Sequence, residues 1–339
     1  MIHAALRDLQ WRSRRIGIVI AATALVFAMS LVMSGLSDSF GSETGRMLDA
    51  LGGESYLAPT GEVGPFTSAT IVNTDKAPDA APMLFWSAAL PVGGDVKQIS
   101  LIGLPVGWEV PLTSGRVTKA SGEVVVDSSL GMKTGETLKI GDGRYRIVGT
   151  MSGRTLFGGQ PAVILTIGDA QQRLAKGAPI TRAFIEKTTP STPPPAGLVR
   201  FTREQAAADL LRPVGSARQS ISFIKVLLWL VAICIVGSAI YLSALERARD
   251  FAVFKATGVK TWKIGAGLAV QAAILAAASS LLAIGLAYLL APRFPMPLTI
   301  PTSAVIQLPF LAIGIGLLAS LAGLRRTIAA DPSQAFGGR

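Results

Sequence analysis

Residues that could carry covalent, metal or redox chemistry are scarce in this sequence. It contains one histidine, His3, and one cysteine, Cys234, which lies inside an apolar block. A Ser-His-Asp triad and a Cys/His zinc site therefore lack the residues they need. One cysteine cannot form a disulfide within the chain, so it says nothing about the redox compartment. We expect no catalytic residues, no bound metal and no cofactor.

Acidic pairs are the remaining route to catalysis, because a general acid and a general base can be two carboxylates that face each other. Asp127, Glu136 and Asp142 are candidates of this type in the middle of the chain. Each falls in a predicted turn or at a strand end, where carboxylates are usually solvated. Nothing in their spacing places two of them across a cleft, so the sequence predicts a chain that is not an enzyme.

The segment Glu246–Lys263, between two apolar blocks, indicates binding of a partner protein instead of catalysis. Gly258 can end a short helix in a left-handed turn, and that helix would expose Phe251, Phe254 and Lys255. A partner protein could bind such a helix in a groove. The alternative is a plain basic loop beside a membrane, which explains the charges of the segment but not its aromatic residues.

Four apolar blocks must position these residues. The first, Ile16–Leu36, has 21 uncharged residues and would be about 31 Å long as a helix, enough to cross a hydrocarbon core of about 30 Å. The others are Val226–Leu245, Ile264–Leu290 and Val305–Leu324. Charged residues make up only 16% of the chain, against about 25% in soluble proteins. The first block is longer than a signal-peptide core of about 7–15 residues, so we interpret it as an uncleaved span.

The distribution of charge indicates how these spans are oriented. The formal net charge is +11, but residues 37–220 are nearly neutral, with 18 basic and 17 acidic residues. The excess of lysine and arginine flanks the apolar blocks. The positive-inside rule places both termini and the 246–263 loop in the cytoplasm, and residues 37–220 outside. A nearly neutral folded segment also argues against nucleic-acid binding, which needs a basic face.

These observations predict a multi-pass protein of the cell membrane. The expected order along the chain is a basic amphipathic segment (1–15), a first span (16–36), an extracytoplasmic domain with a stalk (37–220), a second span (221–245), a cytoplasmic loop (246–263), a third span (264–290), an outer loop (291–304), a fourth span (305–324) and a cytoplasmic tail (325–339). The predicted fold is a membrane α-helical protein with four transmembrane helices and one extracytoplasmic α+β domain inserted between helices 1 and 2.

The outside segment has the patterns of a mixed domain. Thr137–Ile140 and Tyr145–Val148 alternate apolar and polar residues about Gly141-Asp142-Gly143, which predicts a hairpin. Further strands are predicted at Ser55–Ala58, Lys97–Leu104, Glu123–Asp127 and Pro161–Thr166, and helices at Ser128–Lys133, Asp169–Leu174 and Thr202–Arg212. The proline-rich Thr188–Ala196 is predicted to be a stiff extended linker.

The loop sequence LERARDFAVFKATGVKTWKI, Leu245–Ile264, resembles the signature of the MacB/FtsX family of ABC-transporter permeases. The matching positions are Glu246, Arg247, Arg249, Asp250, Phe251, Lys255, Ala256 and Gly258. The terminal ADPSQAF resembles the family's ending through Asp331, Pro332, Ala335 and Phe336. The chain before block one and Gly103–Trp108, GLPVGW, are similar to the heme-exporter and DevC-like permease branch.

The resemblance implies a membrane subunit driven by a separate ABC ATPase. No G-x-x-x-x-G-K-[ST] occurs in the chain, so it has no P-loop for ATP. A dimer of permeases, embedded in membrane lipid, is implied, in which ATPase motion is passed to the outside domain without a water-filled pore. The implied ATPase-coupling residues are Glu246, Arg247, Arg249, Asp250, Phe251, Phe254, Lys255, Gly258, Asp331 and Pro332.

Three functions stay open from the sequence. The first is export of a lipophilic or amphipathic small molecule. The second is an FtsX-like regulator that passes ATPase motion to an extracytoplasmic cell-wall enzyme, and the third is a membrane-anchored enzyme. The sequence names no substrate, and it does not favour heme, because its one histidine is on the predicted cytoplasmic side. Met29 and Met33 in block one have a spacing more typical of packing.

Overall fold

The structure, a computed structural model, describes residues 13–92, 94–294 and 298–329. The chain divides into two compact units. We call Ser39–Ser216 the sheet unit, and the residues on either side of it, Met1–Asp38 and Ala217–Arg339, the helical unit.

Seven α-helices occur in the described residues. They are α1 (Ser13–Leu51), α2 (Ile167–Ala175), α3 (Arg203–Leu210), α4 (Gly215–Glu246), α5 (Ala248–Ala256), α6 (Thr261–Leu290) and α7 (Thr302–Ala329). Four helical stretches are long and apolar enough to cross a membrane: Arg14–Leu51, Arg203–Glu246, Trp262–Arg293 and Thr302–Leu321. Each of the first three contains one predicted span, and the fourth overlaps the predicted span 305–324, which lies within α7. Helix α1 continues well beyond the predicted span 16–36, because Ser37–Leu51 holds no proline and few β-branched residues.

The helical unit packs through small residues. A Cβ placed on Gly316 of α7 would lie 2.8 Å from the carbonyl oxygen of Ala272 in α6, so glycine is required for this close approach. Alanines also line the buried clusters between these helices, among them Ala276 and Ala312. The indole Nε1 of Trp229 donates a 3.0 Å hydrogen bond to Ser30 Oγ, which links α4 to α1. The interior is therefore held by close backbone packing, as expected for helices in lipid.

The sheet unit contains thirteen strands among its described residues. They are β1 (Ser55–Pro59), β2 (Val72–Asn73), β3 (Ala81–Val92), β4 (Asp95–Leu104), β5 (Ser114–Gly115), β6 (Glu123–Asp127), β7 (Thr137–Ile140), β8 (Gly143–Met151), β9 (Thr155–Leu156), β10 (Gln160–Thr166), β11 (Ile180–Thr181), β12 (Ala183–Glu186) and β13 (Leu198–Thr202). The main sheet has the order β13-β1-β12-β3-β4-β10-β6-β8-β5, with β7 on β8 and β9 on β10, while β11 pairs with β2. Its pairs are antiparallel except β4 with β10 and β6 with β8.

Both faces of this sheet are covered. Ile102 and Ile164 face the cluster that contains Met47 and Leu51 of α1 and Leu210 of α3. Their neighbours Leu101, Val163 and Leu165 face the opposite cluster with Ala170 of α2. Because successive side chains of a strand point to opposite faces, strands buried on both sides are apolar throughout rather than alternating.

Most predicted elements of the sheet unit are confirmed. The strand Glu123–Asp127 and the hairpin of β7 and β8 occur where the sequence placed them, and Ser128–Leu130 is a short 3-10 turn. The interpretation of Thr188–Ala196 as a linker is wrong. This segment connects β12 to β13, and both strands pair with β1, so it is a loop within one sheet. Its prolines indicated stiffness correctly, but local sequence does not show which strands a loop joins.

A carboxylate joins the three strands beside this loop. Glu186 accepts hydrogen bonds from Ser55 Oγ at 2.6 Å and from Arg200 Nε and Nη2 at 2.7 and 2.9 Å. Burial alone would raise the pKa of Glu186, but the hydrogen bonds from Arg200 and Ser55 outweigh burial and hold the pKa below its usual value. A lowered pKa stabilises the folded state above the unfolded glutamate pKa of about 4.3, and this stability is lost as the pH falls through the lower folded pKa.

We therefore predict that Glu186→Gln lowers the free energy of unfolding of the sheet unit at neutral pH by about 1–3 kcal/mol, the range for hydrogen bonds to charged groups. The loss should begin to shrink below about pH 4.3, where the carboxylate of the unfolded chain takes up a proton, and should disappear once the pH has fallen through the lower folded pKa. Denaturant unfolding of the purified permease, followed through tryptophan fluorescence, measures both effects. An equal loss at every pH would contradict this account of Glu186.

Candidate functional site

The segment singled out by sequence forms a short helix followed by a tight turn. Helix α5 starts two residues after α4 ends, and the amide of Thr257 donates to the carbonyl of Val253 at 3.0 Å in its last turn. Gly258 has φ 88°, a left-handed conformation that favours glycine. The predicted helix and its glycine end are confirmed. Lys260 then occupies the N-cap position of α6.

The sequence predicts an exposed side chain for Phe251. This prediction is wrong. Phe251 is only 5% exposed and belongs to a buried cluster with Ile240 of α4, and with Ile264 and Leu268 of α6. The guanidinium carbon of Arg247 lies 5.7 Å from the centre of the Phe251 ring. A nine-residue helix between two longer ones buries one apolar face against them. Phe251 therefore anchors α5 to the helical unit.

The exposed face of this region is formed by other residues. Arg249 and Asp250 are exposed, Val253 is 45% exposed and Trp262, in the first turn of α6, is 65% exposed. Trp262 was not among the predicted site residues, although an indole within a basic loop is a signal for an interaction surface. Val253 and Trp262 are the large apolar side chains that this region presents among the residues with described side chains.

The structure does not describe the side chains of four predicted coupling residues. Two of them, Phe254 and Lys255, belong to α5. Asp331 and Pro332 lie outside the described residues. Their assignment to ATPase coupling stays a prediction.

An ion pair joins the start of α1 to the end of α4. Arg15 Nη1 lies 2.8 Å from Glu246 Oε1, and the two side chains are 35% and 36% exposed. A solvent-exposed pair of this kind contributes about 0–1 kcal/mol. It therefore aligns the two helices more than it stabilises them. The sequence indicated Glu246, whereas Arg15 was interpreted only as part of a basic flank.

The acidic residues weighed as catalytic are not arranged as a catalytic pair. Asp127 is fully buried and accepts hydrogen bonds from Ser129 N and Oγ at 2.9 and 2.6 Å and from Arg154 N at 2.6 Å. Glu136 and Asp142 are exposed at turns. In the ranges that the structure covers, no group of three or more His, Cys, Asp or Glu side chains could hold a metal ion.

Comparisons with sequence families cover most of the chain. The family described as FtsX-like permease C-terminal matches residues 222–332, and the family described as MacB-like periplasmic core domain matches residues 16–197. The first match includes α5, Gly258 and Trp262, and the second includes most of the sheet unit.

Named relatives match over the whole chain. An uncharacterised ABC transporter permease of Mycobacterium bovis is 42% identical, with 100% of both chains covered. Another, of Mycobacterium tuberculosis, is 40% identical with the same coverage. A putative hemin transport system permease protein, HrtB, of Staphylococcus haemolyticus is 19% identical over 99% of both chains. Among solved structures, the extracellular domain of the transporter YknZ from Gram-positive bacteria covers 40% of this chain and 83% of its own, at 8% identity and a TM-score of 0.29.

Proposed function

This chain belongs to the FtsX-like ABC transporter permeases that carry a MacB-like periplasmic core domain, and we propose that it exports a lipophilic or amphipathic small molecule as a dimer driven by ATPase subunits docked on α5. The resemblance to the MacB/FtsX family is confirmed, as is the fold of four membrane helices with a mixed extracytoplasmic domain after the first. An ABC transporter permease is a subunit of the cell membrane that works with an ATPase partner.

The burial of Phe251 is the observation that most directly supports coupling of the ATPase to the membrane helices through α5. A helix that only tethered the ATPase would not need a buried aromatic anchor, because an exposed loop could carry the contacts. Instead α5 is packed through Phe251 against α4 and α6, so a displacement of α5 must move those helices or break the cluster. We propose that ATP-driven displacement of α5 passes into α4, whose first two residues, Gly215 and Ser216, are the last two of the sheet unit.

The proposed orientation follows from charge. The basic residues at the start of α1 and in the 246–263 loop favour a cytoplasmic location for both termini and for α5. An ATPase in the cytoplasm would then reach Val253 and Trp262. The sheet unit would act on the other side, where it would receive the substrate from the outer leaflet.

We predict that Val253→Asp reduces binding of the ABC ATPase and lowers the stimulated ATP hydrolysis of the complex at least about tenfold. A carboxylate at an apolar contact that becomes buried costs about 2 kcal/mol or more, as at interface hot spots. Recovery of the ATPase with the tagged permease, and ATP hydrolysis by the recovered complex, measure the effect. Val96→Asp is the matched control, because Val96 is 72% exposed in the sheet unit.

Unchanged ATPase recovery with Val253→Asp would refute docking on this face. ATP hydrolysis that responds to an extracytoplasmic protein, and to no small molecule, would favour the regulator over the exporter while leaving the docking surface in place.

A further inference from the structure

The sheet unit contains a cavity of about 580 Å³ with an aromatic lining. Phe66, Phe85, Trp86 and Phe157 line it. The ring centres of Phe66 and Phe85 lie 5.6 Å apart in an edge-to-face arrangement, and those of Phe85 and Phe157 lie 6.0 Å apart. A volume of this size suits a small organic molecule, since ligand pockets usually measure about 300–1,000 Å³. The lining favours a ligand with a flat apolar body.

Among the described residues, Arg182 is the one ionisable residue that lines this cavity. It is half-buried between β11 and β12. No side chain or backbone group in the described part of the chain forms a hydrogen bond or ion pair with the guanidinium of Arg182. Its guanidinium nitrogens are not among the buried polar atoms that lack a partner, so they reach solvent, and the group offers five donors in a planar arrangement. The cavity thus combines apolar walls with an unpaired cation that an anion would complement.

The two loops that form the walls are held by buried carboxylates of α1 and α3. Glu43 of α1 is 1% exposed and accepts hydrogen bonds from Thr155 Oγ1 at 2.8 Å and from Gly158 N at 2.9 Å. This fixes the loop in which Phe157 has φ 52°, a conformation that is strained for a bulky residue. Strain of this kind persists only where the surroundings impose it.

The opposite wall is held from α3. Asp209 is fully buried, and its Oδ2 accepts hydrogen bonds from Phe66 N at 2.8 Å and Thr67 N at 3.0 Å. Movement of either helix would therefore displace an aromatic wall of the cavity. A second cavity, of about 420 Å³, has a different lining, in which Trp108 is the one aromatic residue among the described residues. The carboxylates of Asp79 and Glu186 also line it, and its Arg200 is already paired with Glu186.

We propose that this cavity binds an amphipathic anion with an aromatic body, whose acidic group pairs with Arg182. The proposal narrows the substrate class of the exporter and so rests on the proposed function, but binding itself needs no ATPase. The four aromatic rings of the lining favour a flat small molecule over the acyl chain of an anionic lipid. The bound acid forms charge-assisted hydrogen bonds to the guanidinium, and the rings pack against its apolar body.

The test compares anthracene carboxylate with its neutral carboxamide, which has nearly the same size and shape. Full-length permease in phosphatidylcholine nanodiscs is titrated with each probe, and energy transfer from tryptophan reports binding. Trp86→Phe should remove most of the signal. The wild type should bind the carboxylate at least about tenfold more tightly than the carboxamide, the effect of a charged hydrogen-bonded pair.

Arg182→Gln should abolish this preference and leave carboxamide binding unchanged, while Arg182→Lys should retain part of it. Arg144→Gln removes an exposed arginine of the same unit and should change nothing. Equal binding of the two probes, or an unchanged preference in Arg182→Gln, would overturn the proposal. Displacement of the carboxylate by anionic phosphatidylglycerol in the nanodisc would also overturn it, because the occupant would then be lipid.

The experiment separates this inference from the proposed function. Anion binding that depends on Arg182, without ATP-driven release, would retain the site and refute export. ATP-driven release of neutral or cationic amphiphiles that is insensitive to Arg182→Gln would retain export and refute this site as the substrate site.

Discussion

Phe251→Asp is expected to abolish substrate-stimulated ATP hydrolysis and substrate release. The Phe251 side chain is 5% exposed among apolar residues of α4 and α6. A carboxylate there would be buried without a partner, at a cost of several kcal/mol, so α5 would leave its place. The sheet unit, which does not contain Phe251, should keep its unfolding transition. Stimulated ATP hydrolysis of purified, reconstituted complexes measures the effect, which should be a loss of at least about a hundredfold if coupling depends on this cluster.

Three further variants make this result specific. Phe251→Leu preserves apolar burial and should retain most of the coupling. Gly258→Pro should act like Phe251→Asp, because proline fixes φ near about −65° and Gly258 has φ 88°. No atom lies within 4 Å of a Cβ built on Gly258, so Gly258→Asn, which tolerates the left-handed region, should be mild. Normal stimulated hydrolysis in both Phe251→Asp and Gly258→Pro would refute the coupling role of α5.

Asp209→Ala should cause the largest loss of stability in the sheet unit. Asp209 accepts hydrogen bonds from two backbone amides and from Thr67 Oγ1, and its Oδ1 lies 3.2 Å from Arg212 Nε. Removal of a fully buried carboxylate leaves these donors without an acceptor, at about 3–5 kcal/mol. Denaturant unfolding of the purified permease measures the change.

The same substitution should weaken binding of anthracene carboxylate, because the wall that carries Phe66 is no longer held. Asp49→Ala provides the matched control. Asp49 also pairs with an arginine, Arg203, but its side chain is 65% exposed, and its loss should cost less than about 1 kcal/mol. Equal losses of stability for the two variants would contradict the structural role assigned to Asp209.

The strength of local patterns explains which parts of the fold could be predicted from the sequence. The membrane helices follow from long uncharged blocks, and the β7–β8 hairpin follows from alternation around two glycines. Strand β3 was missed although it pairs with β12 at its start and with β4 from Leu84 to Val92. It contains Pro82 and Pro91 and a run of small residues, which together hide the pattern of a strand.

The candidate sites show the same limit. The charged motif around Arg247 and Gly258 predicted a helix and its end, because both depend on neighbours in sequence. It did not predict that Phe251 is buried, since that depends on how α4 and α6 pack. The aromatic cavity was not predictable at all: Phe66, Phe85, Phe157 and Arg182 are far apart in sequence, and no local signal joins them.

One measurement tests the central claim of ATP-driven export most directly. Permease and ATPase are reconstituted in liposomes loaded with ATP, and a fluorescent amphiphile placed in the outer leaflet is released to albumin outside. We predict release that requires ATP and is lost in Phe251→Asp. Continued ATP hydrolysis without release of any anionic, neutral or cationic amphiphile from the outer leaflet would contradict it.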